Sequence, residues 1–274
     1  MTRLAYLGPP GTFSEEAALR YSPNADLVPL ASEAAVGAAV EAGDADEGIL
    51  AVENSLAGTV TRTIDVLVHD TKLAIRAELV LAVELCLIAR PGTALKDIRV
   101  VRSIQVALDQ CQRFIERELP GVTQEASLST AAAVREVAGV AGAAAIGTAR
   151  AAGLHGAEVL ARGIQDNPYN KTRFVAIGRN DSEPTGRDKT SIAFSVPHDK
   201  PGTLVQVLHE FSDRAINLTK IESRPSREEL GVYIFLVDLE GHRSDPEVAA
   251  ALAAAEAKSF FFRVLGSYPR YHDA

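Results

Sequence analysis

The sequence predicts a two-lobed α/β domain followed by a smaller α+β domain of the ferredoxin-like kind. Over about the first 180 residues, short β-rich runs alternate with helical patterns, which is typical of an α/β domain with a largely parallel sheet. A polar stretch without apolar periodicity at 179–189 indicates a linker. Beyond the linker, the elements follow the βαββαβ order of a ferredoxin-like fold. We therefore expect one domain over 1–180 and a second over 189–271.

Short apolar runs predict the strands of the first domain, and they lie at 4–7, 48–53, 98–101, 143–147 and 172–177. Helices between them are indicated by apolar residues at helical spacing. One such set is Val60, Ile64, Leu67 and Val68, and another is Ile104, Leu108, Cys111 and Ile115. The stretch 73–90 is strand-like throughout, with few turn signals, and is long enough to run between two lobes. A cleft between those lobes is expected.

The second domain has the same alternation on a smaller scale. Its strands are predicted at 191–196, 216–221, 231–239 and 260–265, and its helices at 204–211 and 246–256. A unit of this size has little room for catalysis, but it offers a sheet edge and a helix face for pairing. It therefore fits a ligand-binding or dimerising module.

Composition narrows the possible functions of the 274-residue chain. Its 28 Lys and Arg against 36 Asp and Glu give a net charge of −8, which argues against nucleic-acid or acidic-lipid binding. Neither the two cysteines nor the six histidines show metal-ligand spacing, and GPPG at 8–11 lacks the glycine spacing of a dinucleotide fingerprint. We expect no metal and no cofactor. The chain begins without a signal-peptide pattern and has no membrane-length apolar run, so a cytoplasmic protein is expected.

Three polar clusters stand where predicted strands end. They are GPPGTFSEEA (8–17), VENSLAGTV (52–60) and NPYNKTRFVAI (167–177). In the first, a tight turn places Thr12 and Ser14 at a helix start, where free backbone N–H groups favour an anion. Helix capping, turn chemistry and the solvation of an edge strand are equally simple explanations for the three clusters.

Taken in order and followed by INLTKIESRP (216–225), these clusters resemble prephenate dehydratase with a C-terminal ACT domain. The resemblance covers essentially the whole chain and includes STAAAV (129–134) and AAAIGTARAAGLHG (143–156). It departs at SIQVAL (103–108), where Ile104 and Val106 replace the His and Gln that are usual in the family, so no role is assigned to that histidine here.

The resemblance implies a periplasmic-binding-protein-like catalytic domain that converts prephenate to phenylpyruvate, with loss of CO2 and of the ring hydroxyl as water. Thr172 is implied to donate a proton to the departing hydroxyl, or to hydrogen-bond it. Arg173 is implied to bind a substrate carboxylate or to orient the motif. The other implied substrate-binding residues are Thr12, Phe13, Asn54, Ser55 and Phe174. Fixed dipoles and a few cations are expected to hold the two carboxylates.

In the ACT half, the resemblance implies L-phenylalanine as allosteric effector and a homodimer or homotetramer. The loop and helix start at 199–208 would meet the effector, and 216–225 of a partner subunit would face it. The implied effector-binding residues are Gly202, Thr203, Leu204, Asn217 and Leu218, with Thr203 in place of the alanine that is usual in the family. Ser223 and Arg224 are implied to build the interface or relay its change.

Two alternatives stay open from the sequence. Arogenate dehydratase performs the same elimination on the amino-acid analogue of prephenate, and none of these motifs separates a keto from an amino side chain. A non-catalytic protein with a two-lobed cleft and an attached amino-acid sensor is the other alternative, supported only by Ile104 at the usual His position.

Overall fold

Two mixed β-sheets, one in each lobe, form the first part of the chain in the computed structural model, which describes residues 2–197, 201–227 and 232–271. The first lobe opens with β1 (Arg3–Leu7), α1 (Phe13–Tyr21), β2 (Asp26–Leu30), α2 (Glu33–Ala42), β3 (Glu47–Asn54), β4 (Gly58–Thr59), α3 (Thr61–Asp65) and β5 (Ala74–Ala82). A five-residue π-helix at Val66–Asp70 continues α3, so the predicted helix here is irregular in its second half. Its Leu67 and Val68 are buried, as their spacing predicts.

The second lobe follows directly. It contains β6 (Cys86–Ala89), β7 (Val100–Ser103), α4 (Gln105–Asp109), α5 (Gln112–Glu118), β8 (Thr123–Ala126), α6 (Thr130–Val137), β9 (Ala143–Gly147), α7 (Ala149–His155) and β10 (Glu158–Ala161). The single helix predicted from Ile104 to Ile115 is two short helices, because the chain leaves helical geometry at Cys111. Strand β7 lies two residues later than the prediction of 98–101.

The chain passes between the lobes twice. It leaves the first lobe from β5 into β6, which confirms the prediction that 73–90 connects two lobes, and it returns along β11 (Lys171–Gly178). The first sheet has the order β2-β1-β3-β11-β5, with β4 on β3, and the second has the order β10-β6-β9-β7-β8. The parallel strands are β1, β2 and β3 in the first sheet and β7, β8 and β9 in the second. The strands that connect the lobes, β5, β6 and β11, pair antiparallel with their neighbours. The expected largely parallel sheet is therefore mixed.

The C-terminal domain has the predicted βαββαβ order. Its elements are β12 (Asp188–Ser195), α8 (Thr203–Ser212), β13 (Leu218–Pro225), β14 (Tyr233–Glu240), α9 (Pro246–Ala257) and β15 (Phe261–Pro269). They form an antiparallel sheet of order β13-β14-β12-β15. The strand predicted at 216–221 begins and ends later, and the predicted linker overlaps the first two residues of β12. Predicted positions 199, 200 and 231 lie outside the described residues.

One face of this third sheet is covered by its own helices, and the other packs against the first lobe. Leu236, Leu265 and Tyr268 belong to the same apolar cluster as Val52 and Ile75 of the first lobe. The strands approach so closely that a Cβ atom at Gly266 would overlap the Ile75 carbonyl oxygen. No helix in the described part of the chain is long and apolar enough to cross a membrane.

Candidate active site

A cavity of about 930 Å³ lies between the two lobes and is lined by residues of both. This volume is at the upper end of the range of small-molecule sites. The walls are mostly apolar, with a few polar groups from the strand ends and helix starts of both lobes. Thr12, Phe13, Asn54, Thr172 and Phe174, all predicted site residues, line this cleft.

The pairing of β3 with β11 brings two of the sequence clusters together. The strands are antiparallel, and their register places Thr172 opposite Asn54 and Arg173 opposite Glu53. Asn54 Nδ2 donates a hydrogen bond to Thr172 Oγ1 at 2.9 Å, and Asn54 Oδ1 accepts from the backbone N–H groups of Leu56 and Ala57. Because the turn after β3 fixes the Asn54 amide, the position of the Thr172 hydroxyl is fixed in turn.

A chain of amides extends this contact to the other lobe. Asn54 Nδ2 also donates to Asn170 Oδ1 at 2.8 Å, and Asn170 Nδ2 donates to Gln110 Oε1 at 2.9 Å. Asn170 is almost wholly buried, and Gln110 directly follows α4 in the second lobe. Gln110 was not among the residues predicted from the sequence, because the regular helical spacing from Ile104 to Ile115 gives no sign that the helix ends at this point. The Thr172 hydroxyl is thus held by contacts that span both lobes.

The loop before α1 forms another part of the cleft wall. Gly11 has a φ of 90° and its Cβ, if present, would lie 2.9 Å from Ala151 Cβ of the second lobe, so only glycine fits without a shift. Thr12 caps α1 by accepting a hydrogen bond from the Glu15 N–H at 3.4 Å. Phe13 packs against apolar clusters of both lobes. This loop therefore holds the lobes at a fixed spacing.

An ion pair beneath the loop also joins the lobes. Glu15, on α1, is buried and accepts from Arg150, on α7, at 2.5 and 2.9 Å, and from the Gly11 N–H at 2.7 Å. Burial alone would raise the pKa of Glu15, but the hydrogen bonds from Arg150 and Gly11 outweigh it and lower that pKa below its usual value. The carboxylate is therefore stabilised in its charged form and anchors the loop.

Two of the predicted substrate-binding residues lie outside the cleft lining. Ser55 is exposed, and its hydroxyl accepts from the Lys171 N–H at 3.0 Å, so it braces the loop before β11. Arg173 projects to the opposite face of β11 from Thr172, as the alternation of side chains along a strand requires. Of the two roles implied for Arg173, its contacts favour orienting the motif rather than binding a carboxylate.

Arg173 connects β11 with the C-terminal domain. Its guanidinium lies 2.7 Å from Asp238 Oδ2 on β14, 3.2 Å from Glu78 Oε2 on β5 and 3.3 Å from Glu53 Oε2 on β3. Burial alone would raise the pKa of Asp238, but Arg173 and a hydrogen bond from Ser191 outweigh burial and hold it below its usual value. Lys189 pairs with Glu78 at 2.8 Å. The two domains are thus joined by a buried charge network.

Charge is almost absent from the cleft itself. Among the described residues that line it, Arg135 is the one charged side chain, and no Asp, Glu, Lys or His is present. Arg135 lies in α6, on the same face as Ala132, and directly follows the STAAAV segment at 129–134. Ile104, at the position of the family's usual histidine, also lines the cleft.

Within the described residues, no group of three or more His, Cys, Asp or Glu is placed to hold a metal ion.

The predicted effector residues lie in two places of the C-terminal domain. Gly202 caps α8 with a φ of 83°, and Thr203 and Leu204 begin that helix. Asn217 precedes β13, and Leu218 begins it. Leu204 and Leu218 pack against the same apolar cluster, whereas Gly202 and Asn217 are exposed.

Arg224 of the ESRP segment contacts the first domain of its own chain. Its guanidinium donates to the Thr61 carbonyl at 3.2 Å and lies 3.7 Å from Asp65.

Comparison with known proteins places this geometry in one family. The family model for prephenate dehydratase matches residues 4–182, and the model for the ACT domain matches residues 190–257. A prephenate dehydratase of Mycolicibacterium gilvum is 42% identical, with 98% of this chain and 91% of the relative covered.

Two solved structures match this chain over nearly its full length. A prephenate dehydratase of Arthrobacter aurescens, solved in complex with L-Phe, superposes with a TM-score of 0.90 at 38% identity, covering 98% of this chain and 90% of that one. GqqA, described as a novel type of quorum quenching acylase, has a TM-score of 0.87 at 32% identity, with 98% of each chain covered. Both family models match, and the prephenate dehydratase of Mycolicibacterium gilvum is 42% identical over nearly the full length of both chains. The chain therefore belongs to the prephenate dehydratase family.

Proposed function

We propose that this chain converts prephenate to phenylpyruvate, CO2 and water in the cleft between its lobes, with 1–180 as the catalytic domain and 189–271 as the regulatory domain. The contact between Asn54 Nδ2 and Thr172 Oγ1 at 2.9 Å carries the proposal. Because the Thr172 oxygen accepts the amide proton, its own O–H proton is left for an acceptor in the cleft. The departing hydroxyl of the substrate is that acceptor.

The elimination needs a proton donor and little else. The bond from the ring to its carboxylate breaks with release of CO2, the electron pair of that bond enters the ring, and the C–O bond on the opposite ring carbon breaks. The Thr172 proton goes to the leaving oxygen, which departs as water. Negative charge that develops on Thr172 Oγ1 is stabilised by the Asn54 N–H, which compensates for the weak acidity of a threonine hydroxyl. Solvent then returns the proton to Thr172.

Acyl hydrolysis, the activity named for one structural relative, has less support in this cleft. A serine or threonine nucleophile needs an adjacent general base. Among the described residues lining the cleft there is no His, Lys, Asp or Glu to take the proton. The dehydratase reaction requires a donor rather than a base, so it fits these residues better.

We propose that L-phenylalanine inhibits the enzyme by binding at the C-terminal domain, near Gly202, Thr203, Leu204, Asn217 and Leu218. The complex of the Arthrobacter aurescens relative with L-Phe supports this ligand. Strand β13 is an edge strand, and an edge leaves backbone groups available for a second subunit. A homodimer through this edge would bring β13 of one subunit toward α8 of the other, and a tetramer would pair two such dimers.

The charge network at Arg173 is our proposed route from effector to cleft. An effector acts only through its different affinities for two conformations. Any shift of β14 relative to the first lobe moves Asp238, which holds Arg173, and Arg173 is the chain neighbour of Thr172. L-phenylalanine would thus favour a less active arrangement of the cleft.

Asp238→Asn is expected to weaken this coupling while basal turnover stays near that of the wild type. The amide keeps a hydrogen-bond acceptor for Ser191 but loses the charge that holds Arg173. The concentration of L-phenylalanine for half-maximal inhibition should rise at least about 5-fold, the lower end of ordinary allosteric coupling. Asp213→Asn, an exposed change at the end of α8, serves as the matched control. Equal inhibition of both variants would contradict the route.

The direct test of the function is phenylpyruvate formation from prephenate by the purified protein, followed by absorbance in alkali, with and without L-phenylalanine. We expect turnover that falls as L-phenylalanine is added. Turnover that is insensitive to L-phenylalanine would refute the regulatory half alone. No turnover of prephenate, in a folded protein that binds it, would refute the catalytic half and favour a binding protein.

A further inference from the structure

The charge balance of the cleft distinguishes between two substrate classes that share one elimination. A cyclohexadienol with a keto-acid side chain carries two carboxylates and no cation. Its amino-acid analogue carries the same two carboxylates and an α-ammonium group. An ammonium group transferred from water into an apolar cleft needs a carboxylate or several acceptors to offset its lost hydration.

The cleft offers a cation and no anion. Arg135 is exposed on α6, and its side chain makes no ion pair or hydrogen bond with any described residue. Its guanidinium is therefore available to a ligand. No described acidic residue lines the cleft, and three that are close to it in sequence are paired elsewhere: Glu53 with Arg173 and Lys220, Glu15 with Arg150, and Glu84 with Arg162. An α-ammonium group in this cleft would meet a like charge at Arg135 and no counter-charge.

We propose that Arg135 binds a substrate carboxylate and makes the cleft selective for the keto acid over the amino acid. The proposal rests on the proposed function and adds that the cleft prefers prephenate, the keto acid, to arogenate, the amino acid. The planar guanidinium can hold a carboxylate through two parallel hydrogen bonds, whereas a lysine presents a single point charge. Because the chain has a net charge of −8, this local cation is also what offsets the general repulsion of a dianion.

The test compares wild type, Arg135→Gln and Arg135→Lys with prephenate and with arogenate as separate substrates. Arg135→Gln should raise KM for prephenate at least about 10-fold, the loss expected for a charge-assisted hydrogen bond, with a much smaller change in kcat. Its discrimination for prephenate over arogenate in kcat/KM should also fall, because Arg135→Gln removes the like charge that the α-ammonium group would meet, and Arg135→Lys should be intermediate. Arg90→Gln, which removes an exposed arginine outside the cleft lining, should match the wild type.

A binding measurement separates this proposal from the proposed function. The affinity for prephenate is measured by calorimetry in Thr172→Ala and in Thr172→Ala with Arg135→Gln, so it does not depend on turnover. Weaker binding in the second protein supports the carboxylate contact even if wild type turns over neither substrate. Equal binding overturns the contact. A wild type that prefers arogenate, or an Arg135→Gln variant that loses the same factor with both substrates, overturns the selectivity.

Discussion

Thr172→Ala is expected to lower kcat for prephenate at least about 10²-fold, which is the lower end of what a positioned general acid contributes. The variant removes the hydroxyl that accepts from Asn54 and that we propose protonates the leaving group. KM should change much less, because the apolar walls and Arg135 remain. The measurement is steady-state phenylpyruvate formation, with circular dichroism to verify the fold.

Two matched variants separate chemistry from packing. Thr172→Ser keeps the hydroxyl and is expected to retain most of the activity, whereas Thr172→Val keeps the shape and loses the proton, so it should match Thr172→Ala. Near wild-type kcat in the valine variant would rule out Thr172 as the donor. A serine variant as slow as the valine variant would show that the methyl group, and hence the packing of the strand end, matters more than the hydroxyl.

The elements that the sequence predicts well are the buried ones. Strands β3, β9 and β11 are short apolar runs in the centre of their sheets, so burial imposes a pattern on the sequence. Four strands are not predicted: β2, β8 and β10 lie at sheet edges, and β4 has two residues and pairs only with β3. All four residues of β8 are exposed, and β2 contains Pro29. Their conformation comes from hydrogen bonds to a neighbouring strand, which leave no apolar periodicity.

The residues of the candidate site also fall into some that the sequence indicates and others that it does not. The resemblance led to Thr172 and Asn54, but their contact depends on the antiparallel register of two strands that lie far apart in the chain, which no local pattern encodes. The orientation of Arg173 was accessible from the sequence, because a residue between Thr172 and Phe174 in a strand must face the other side. Arg135 was not, since an exposed arginine on a helix has the same local pattern whether or not it faces a cleft.

Arg173→Ala is expected to lower the free energy of unfolding by about 3–5 kcal/mol, the usual loss when one partner is removed from a buried ion pair. The side chains of Arg173, Glu78 and Asp238 are 16%, 3% and 10% exposed. Lys189 still pairs with Glu78 in the variant, so Asp238 is the carboxylate that loses its ion-pair partner at the interface of the two domains. The measurement is unfolding in urea, followed by circular dichroism.

The control for this loss is Arg76→Ala. Arg76 pairs with Glu47 in the same sheet, but its side chain is 36% exposed, so about 1 kcal/mol or less is expected. Adding Asp238→Asn to Arg173→Ala removes the unpaired charge and should recover part of the stability, whereas a loss caused only by missing packing would not be recovered. Arg173→Ala that is no less stable than Arg76→Ala would contradict a strong ionic link. Recovery by Asp238→Asn would show that the strand carrying Thr172 is held to the C-terminal domain by charge, which is the link that our proposed route from effector to cleft requires.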